Sequence, residues 1–276
     1  VPANAKAVVL NVTAAGASVP GFVTVYPCGS AVPNASNLNY SAGQVVPNAV
    51  TVTLGAGGKV CLSNPSAVHL IADVAGYFPS TTQYVPLAPA RLADTRSTGV
   101  TVDGLYVNTG KLAPFAEAAV KVTSRGSVPA AASAVVLNVT AVDPATSGFL
   151  TVYPCGEPRP NASNLNFTPG SVTPNMVVAT VGVGGSVCFA SNTAVDLVVD
   201  VAGAFPAGVG YQPLVPTRLA DTRPGGITAD GLFQGVGALA PFTPLELTVA
   251  GREDVRHDAA AVMLNVTATQ GATPGF

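Results

Sequence analysis

A chain of 276 residues that is 48% hydrophobic but only 9% charged, against a usual charged fraction of about 25%, describes a folded protein with a sparsely charged surface and excludes disorder. A net charge of −2 without any Lys/Arg cluster argues against nucleic acid or an anionic membrane as partner. No apolar run approaches the roughly 20 residues that a membrane-spanning helix needs, so membrane insertion is not expected.

Strand signals begin at once. In "AVVLNVTA", starting at Ala7, the residues Val8, Leu10 and Val12 fall on one face and Val9, Asn11 and Thr13 on the other, the alternation of a half-buried strand. "GFVTVYPC" follows a Pro20-Gly21 turn, then comes the irregular "GSAVPNASNLNY". In "AVTVTLGAGGKVCLS", Gly55 to Gly58 read as the turn of a hairpin. "AVHLIADVAGYF" closes this part, and "FPSTTQY" (78–84) has the composition of a linker. Next come "YVPLAPARLADTR", a glycine-punctuated loop to "DGLY", and the strand-like "EAAVKVTSRG". Short strands broken by turns about every ten residues predict an all-β fold of sandwich type, immunoglobulin-like or jelly-roll-like.

The same phrases then return. The offset that carries Cys28 onto Cys155 also carries "RLADTR" at 91–96 onto "RLADTR" at 218–223. "AVVLNVTA" recurs at 134 and again, as "AVMLNVTA", at 261. A period this long suits a whole domain with its own core better than a solenoid repeat of roughly 20 to 50 residues. With boundaries at "FPSTTQY" and "FPAGVGY" (205–211), residues 1–80 form the C-terminal part of a first repeat, 81–207 a complete second repeat, and 208–276 the N-terminal part of a third. Two expectations follow: a window on a longer array, or half-units that complete one another head to tail by strand complementation.

The cysteines point to a compartment. The spacing from Cys28 to Cys61 equals that from Cys155 to Cys188, so one disulfide per repeat is the economical pairing. Close pairs of the kind zinc requires are absent from the sequence. An oxidising, extracellular or cell-surface location is the expectation.

Two sets of residues are candidate sites. The first is the "PNASNLN" loop, with Asn34, Asn37, Asn39 and Tyr40 in one copy and Asn161, Asn164 and Asn166 in the next. Asn and Ser there suit bonding to nearby main chain; alternatively, carboxamides beside a tyrosine form a glycan site. The second set is the recurring charged residues Asp73/Asp200, Arg91/Arg218, Asp94/Asp221 and Arg96/Arg223. These read as structural ion pairs, joining "RLADTR" to the strand that carries Asp73 or Asp200. A second reading makes Asp94 and Asp103 calcium ligands. Catalysis is not expected: His69 and His257 are not shared between copies, and each recurring carboxylate stands near an arginine that keeps it ionised. No cofactor is expected.

Taken together, "AVVLNVTA", "GFVTVYPCG", "PNASNLNY", "GAGGKVCL", "IADVAGYF" and "PLAPARLADTR" resemble a tandem module of secreted and surface proteins of high-GC Gram-positive bacteria (actinobacteria), over essentially the whole chain. The resemblance implies disulfide-linked β-rich repeats without an assigned activity. The expected function is that of an extracellular structural repeat protein, a surface stalk, fibre or filament subunit that associates with its own kind. The alternative is a carbohydrate-binding or adhesive accessory module of a secreted hydrolase, with polysaccharide as partner.

Overall fold

A computed structural model describes residues 1–208 and 210–270. Val209, inside the second linker phrase, and residues 271–276, the end of the third block, lie outside the described residues. The chain is all-β with several antiparallel sheets. Residues up to Val215, except Asn161–Ser163, form one compact unit; Asn161–Ser163 and the chain from Pro216 onward form another.

The first block supplies β1 (Ala5–Ala15), β2 (Gly21–Pro27), β3 (Leu38–Tyr40), β4 (Val46–Thr53), β5 (Val60–Ser63) and β6 (His69–Pro79). They form two sheets, ordered β4-β1-β6 and β3-β2-β5. The second block begins with β7 (Val85–Asp94) and β8 (Glu117–Lys121) and continues through β9 (Ala132–Val142), β10 (Gly148–Pro154), β11 (Leu165–Phe167), β12 (Val172–Thr180), β13 (Ser186–Ser191) and β14 (Asp196–Pro206). Its sheets run β12-β9-β14-β7 and β11-β10-β13-β8. They therefore repeat the first pair with one strand added to each, β7 beside β14 and β8 beside β13. Among the described residues the third block forms no strand, only an isolated bridge between Asp221 and Gln234.

Each of the first two blocks has an apolar core between its sheets. Val8, Leu10 and Val12 pack with Val23, Val25, Leu38 and Val52 in the first, while Leu137, Val139, Leu150, Phe189 and Val199 lie in the second. The inward face of β1 is the one its alternation indicates, and Asn11 on the other face is exposed. The corresponding strand β9 departs from that expectation because both its faces are buried. Its outward residues Ala134 and Val136 join a third apolar cluster with Ala7, Tyr84 and Phe205, which bridges the two blocks.

"GAGG" is a correction to the hairpin reading. β4 pairs with β1 and β5 with β2, so the turn carries the chain from one sheet to the other. Gly57 and Gly58 adopt positive φ (68° and 70°), which side chains disfavour. Gly55 lies so close to the backbone of Cys28 that a Cβ there would overlap its carbonyl. The linker reading is also modified, since "FPSTTQY" is pinned: Ser80 N–H donates to Asn4 O, Lys6 Nζ donates to Thr82 O, and Tyr84 is fully buried.

The disulfides are Cys28–Cys61 and Cys155–Cys188, one in each block. Each ties the end of β2 or β10 to β5 or β13. Closing a loop of 33 residues restricts the unfolded chain, worth about 3 to 4 kcal/mol per bridge. Replacing Cys155 and Cys188 together by alanine should lower the unfolding free energy by that amount in a urea titration under oxidising conditions. A loss below about 1 kcal/mol would contradict it.

Candidate functional site

The loop and the charged residues that stand out in the sequence meet at one place, the joint between the first and second blocks. Within the loop, Asn37 is an internal brace. Its N–H donates to Val23 O at 2.8 Å and its Oδ1 accepts from Val25 N–H at 2.6 Å, so one residue continues the β2–β3 ladder beyond β3. Asn164 repeats this on β10, with its N–H on Leu150 O at 2.9 Å and its Oδ1 accepting from Val152 N–H at 2.7 Å. Thr24 Oγ1 adds a bond to Ala35 O at 2.7 Å. A loop held this way presents its backbone groups in fixed directions.

Those groups are met by the second block. Asn138, in the middle of β9, donates from Nδ2 to Ser36 O at 2.6 Å. Asn48 of β4 donates to Asn37 O and to Asn138 Oδ1, and its own Oδ1 accepts from Met176 N–H of β12 at 3.2 Å. The main-chain N–H of Ser36 faces the carboxylate of Asp200 on β14 and favours its ionised form. Asn48, Asn138 and Asp200 are all buried, so every one of these groups would be costly to leave unpaired.

Asp200 is the electrostatic centre. It is only 2% exposed and takes a fork from Arg91 of β7, Nε to Oδ1 at 2.8 Å and Nη2 to Oδ2 at 3.2 Å. Arg91 Nη1 also reaches Asp94 Oδ2 at 3.4 Å. Asp94, 1% exposed, is gripped from the other side by Arg96, through Nε at 2.8 Å and Nη2 at 2.6 Å. Burial pushes the Asp200 carboxyl above its ordinary value; the bonds from Arg91 and Ser36 pull it back only in part, and the charge of Asp94 adds to the rise. A shift of this sign marks a carboxylate that depends on its neighbours to stay ionised.

An aromatic stack runs beside this polar centre. Phe78, at the end of β6, stacks on Tyr84 at 4.0 Å between ring centroids; Tyr84 tilts against Phe205 at 4.9 Å, and Phe205 stacks on Tyr211 at 4.4 Å. Burial raises both tyrosine hydroxyls, that of Tyr211 to about 12. Tyr84 lies over Gly203, where any Cβ would overlap its hydroxyl.

The sequence expectations divide against this geometry. Arg91, Asp94, Arg96 and Asp200 do form the expected network. Arg218, Asp221 and Arg223 repeat its local part in the third block, with Arg223 Nη2 on Asp221 Oδ2 at 2.6 Å holding that carboxyl at about 2. Asp73 is a correction: it is exposed on β6 and has no ion pair among the described residues, because no β7-like strand lies beside β6. The calcium reading is corrected too. Asp94 is bound by Arg91 and Arg96, whereas Asp103 is bound by Arg125 at 2.6 Å. In the glycan reading, Asn37, Asn164 and Tyr40 are buried and Asn39 donates to Ser36 Oγ, while Asn34, Asn161 and Asn166 are exposed.

Sequence reasoning passed over Asn48, Asn138, Arg125 and the aromatic stack. The signals were present: an Asn in the middle of an apolar, alternating stretch at 11, 138 and 265, and an arginine at 125 and 252 with the same offset. Arg252 holds Asp230 at 2.7 Å just as Arg125 holds Asp103. Asn265 donates to Ser163 O at 2.7 Å, the counterpart of Asn138 on Ser36.

No family model, curated protein or solved structure matches this chain.

Arg91→Met should cost about 3 to 5 kcal/mol in urea unfolding, since it strands Asp200 without a counter-ion. Adding Asp200→Asn should recover part of that loss, because the amide leaves no charge to bury. An Arg91→Met loss below about 1 kcal/mol would refute the assignment.

Proposed function

We infer that this chain is a structural repeat protein of the extracellular space or cell surface, a stalk, fibre or filament subunit rather than an enzyme. The observation that carries this reading is the joint. Two successive blocks share a buried polar centre, an apolar cluster and an aromatic stack, which is the construction expected where neighbouring units must keep a set orientation under load. Independent binding modules on a tether have no use for a buried ion pair and three buried Asn and Asp side chains at their contact.

Two further features agree with it. Disulfides persist in oxidising compartments, and one per block protects each unit of an array separately. Asp94, Asp103, Asp200, Asp221 and Asp230 are each bonded to an arginine, which suits scaffolding better than proton transfer. The glycan-binding alternative draws little from the loop, whose best-placed carboxamides, Asn37 and Asn164, are spent on main chain. Association with its own kind belongs to the same reading, as does membership of an actinobacterial surface-protein module.

Electron microscopy of material purified from its native source under oxidising conditions tests it. Rods or fibres with an axial repeat of one or two blocks are expected. Compact particles that bind a polysaccharide, and lose it on Asn34→Ala or Asn161→Ala, would replace this reading with the accessory-module one.

A further inference from the structure

Arginine in this chain holds aspartate, with one exception. Every other arginine is bonded to an aspartate carboxylate. Arg159, in the loop between β10 and β11, is exposed and has no carboxylate partner among the described residues. Its guanidinium lies instead over the ring of Phe115, 5.0 Å from the centroid. Phe115 is 61% exposed and holds the left-handed backbone conformation, φ 58°, with its N–H donating to Ser191 O at 2.6 Å. A bulky residue rarely adopts that conformation. Phe242, its counterpart in the third block, adopts it too (φ 57°), so the conformation belongs to the turn.

Beside this pair stands an acceptor. Glu117, at the start of β8, accepts through Oε2 from the Tyr153 hydroxyl at 2.6 Å, and its second oxygen has no partner among the described residues. Val152 packs in the core between the sheets, so Tyr153, the next residue of β10, lies on the outer side of its sheet. Burial and the Glu117 carboxylate raise the Tyr153 hydroxyl to about 12, while the nearby charge of Arg159 acts in the opposite sense. The hydroxyl therefore stays protonated and keeps Glu117 in place. The set is complete only in the second block: Arg159 corresponds to Val32, and Glu117 to Pro244. Val32 remains 55% exposed although Ser36 and Asn37 of the same loop are bonded into the joint. A docked following block thus leaves this position open.

We propose that Arg159, Phe115 and Glu117 form a subsite for an anionic sugar unit, one that carries a carboxylate or phosphate within a polysaccharide. The guanidinium, held flat by the ring, offers the oxyanion a two-bond fork. The open side of the phenyl ring takes the C–H face of the sugar, and the second oxygen of Glu117 accepts from a sugar hydroxyl. A ligand that satisfies all three must bring an anion, an apolar face and a hydroxyl donor together. An acidic peptide side chain brings only the anion, and Glu117 repels it. The site goes beyond the structural-repeat reading, for it gives such a subunit a point of attachment to surrounding polymer.

Affinity electrophoresis of the full chain with its disulfides intact tests the site, using gels that contain polygalacturonate, phosphomannan, neutral mannan or polyglutamate. Retardation is expected in one or both acidic polysaccharides, which tells carboxylate from phosphate, and not in mannan. Arg159→Gln should weaken it at least about tenfold, and Arg159→Lys should restore little because the charge returns without the fork. Phe115→Gly, which suits the positive φ, should weaken it about fivefold with the melting temperature unchanged. No retardation in either acidic polysaccharide, equal retardation in mannan, stronger retardation in polyglutamate, or an Arg159→Gln chain that behaves as wild type overturns the proposal. Rods seen by microscopy without retention remove only this site, whereas retention without rods removes the structural reading and leaves the site.

Discussion

The joint depends on a charge taken out of water. Asp200 is buried on β14 and can remain ionised there only because Arg91 approaches from the neighbouring strand and the Ser36 amide approaches from the preceding block. Removing such a carboxylate from solvent carries a penalty of several kcal/mol, so it is tolerated only where its partners arrive together. That requirement couples three chain segments far apart in sequence: "RLADTR", "DVAG" and "PNASN". The repetition of all three in the sequence is what a joint built on this interaction needs at each boundary.

Around the charge the packing follows from what each block lacks alone. β9 must bury its second face, and Ala134 and Val136 find Ala7, Tyr84 and Phe205 to cover them. An Asn in the middle of an apolar strand would be destabilising in isolation, yet Asn138 is satisfied by Ser36 O and by Asn48. The same residue type on β1, Asn11, is exposed, and the strand it sits on is half-buried. One sequence phrase thus gives two burial patterns, and the difference between them is the presence of a neighbour.

Much of the fold was legible because its signals are local. Alternation in "AVVLNVTA" identified the inward residues of β1, turn residues marked the breaks between strands, and equal cysteine spacing anticipated both bridges. The hairpin at "GAGG" was misread because a tight glycine turn looks the same whether the strands it joins pair with each other or belong to facing sheets. Gly55 is there for close approach to Cys28, a contact between distant parts of the block that no local pattern reveals. The candidate site was half legible. Repetition exposed Arg91, Asp94, Arg96 and Asp200, but Asp73 was assigned the same role although its partner strand is not beside it. Asn48 and Asn138 escaped because their function exists only across a boundary between blocks, where sequence periodicity gives no hint of what faces what.

The amide of Met176 reports on the joint most directly, for it lies on the edge strand β12 and its acceptor, Asn48 Oδ1, belongs to the preceding block. Hydrogen exchange at that amide, followed by nuclear magnetic resonance at neutral pH, should be slowed by at least about a hundredfold relative to an unstructured peptide, and the protection should fall away in Asn48→Ala while the amides at the centre of β2 stay protected. Exchange of Met176 at the rate of an unpaired amide in the wild-type chain would mean that the blocks are not locked together in solution, and the account of the joint would be wrong.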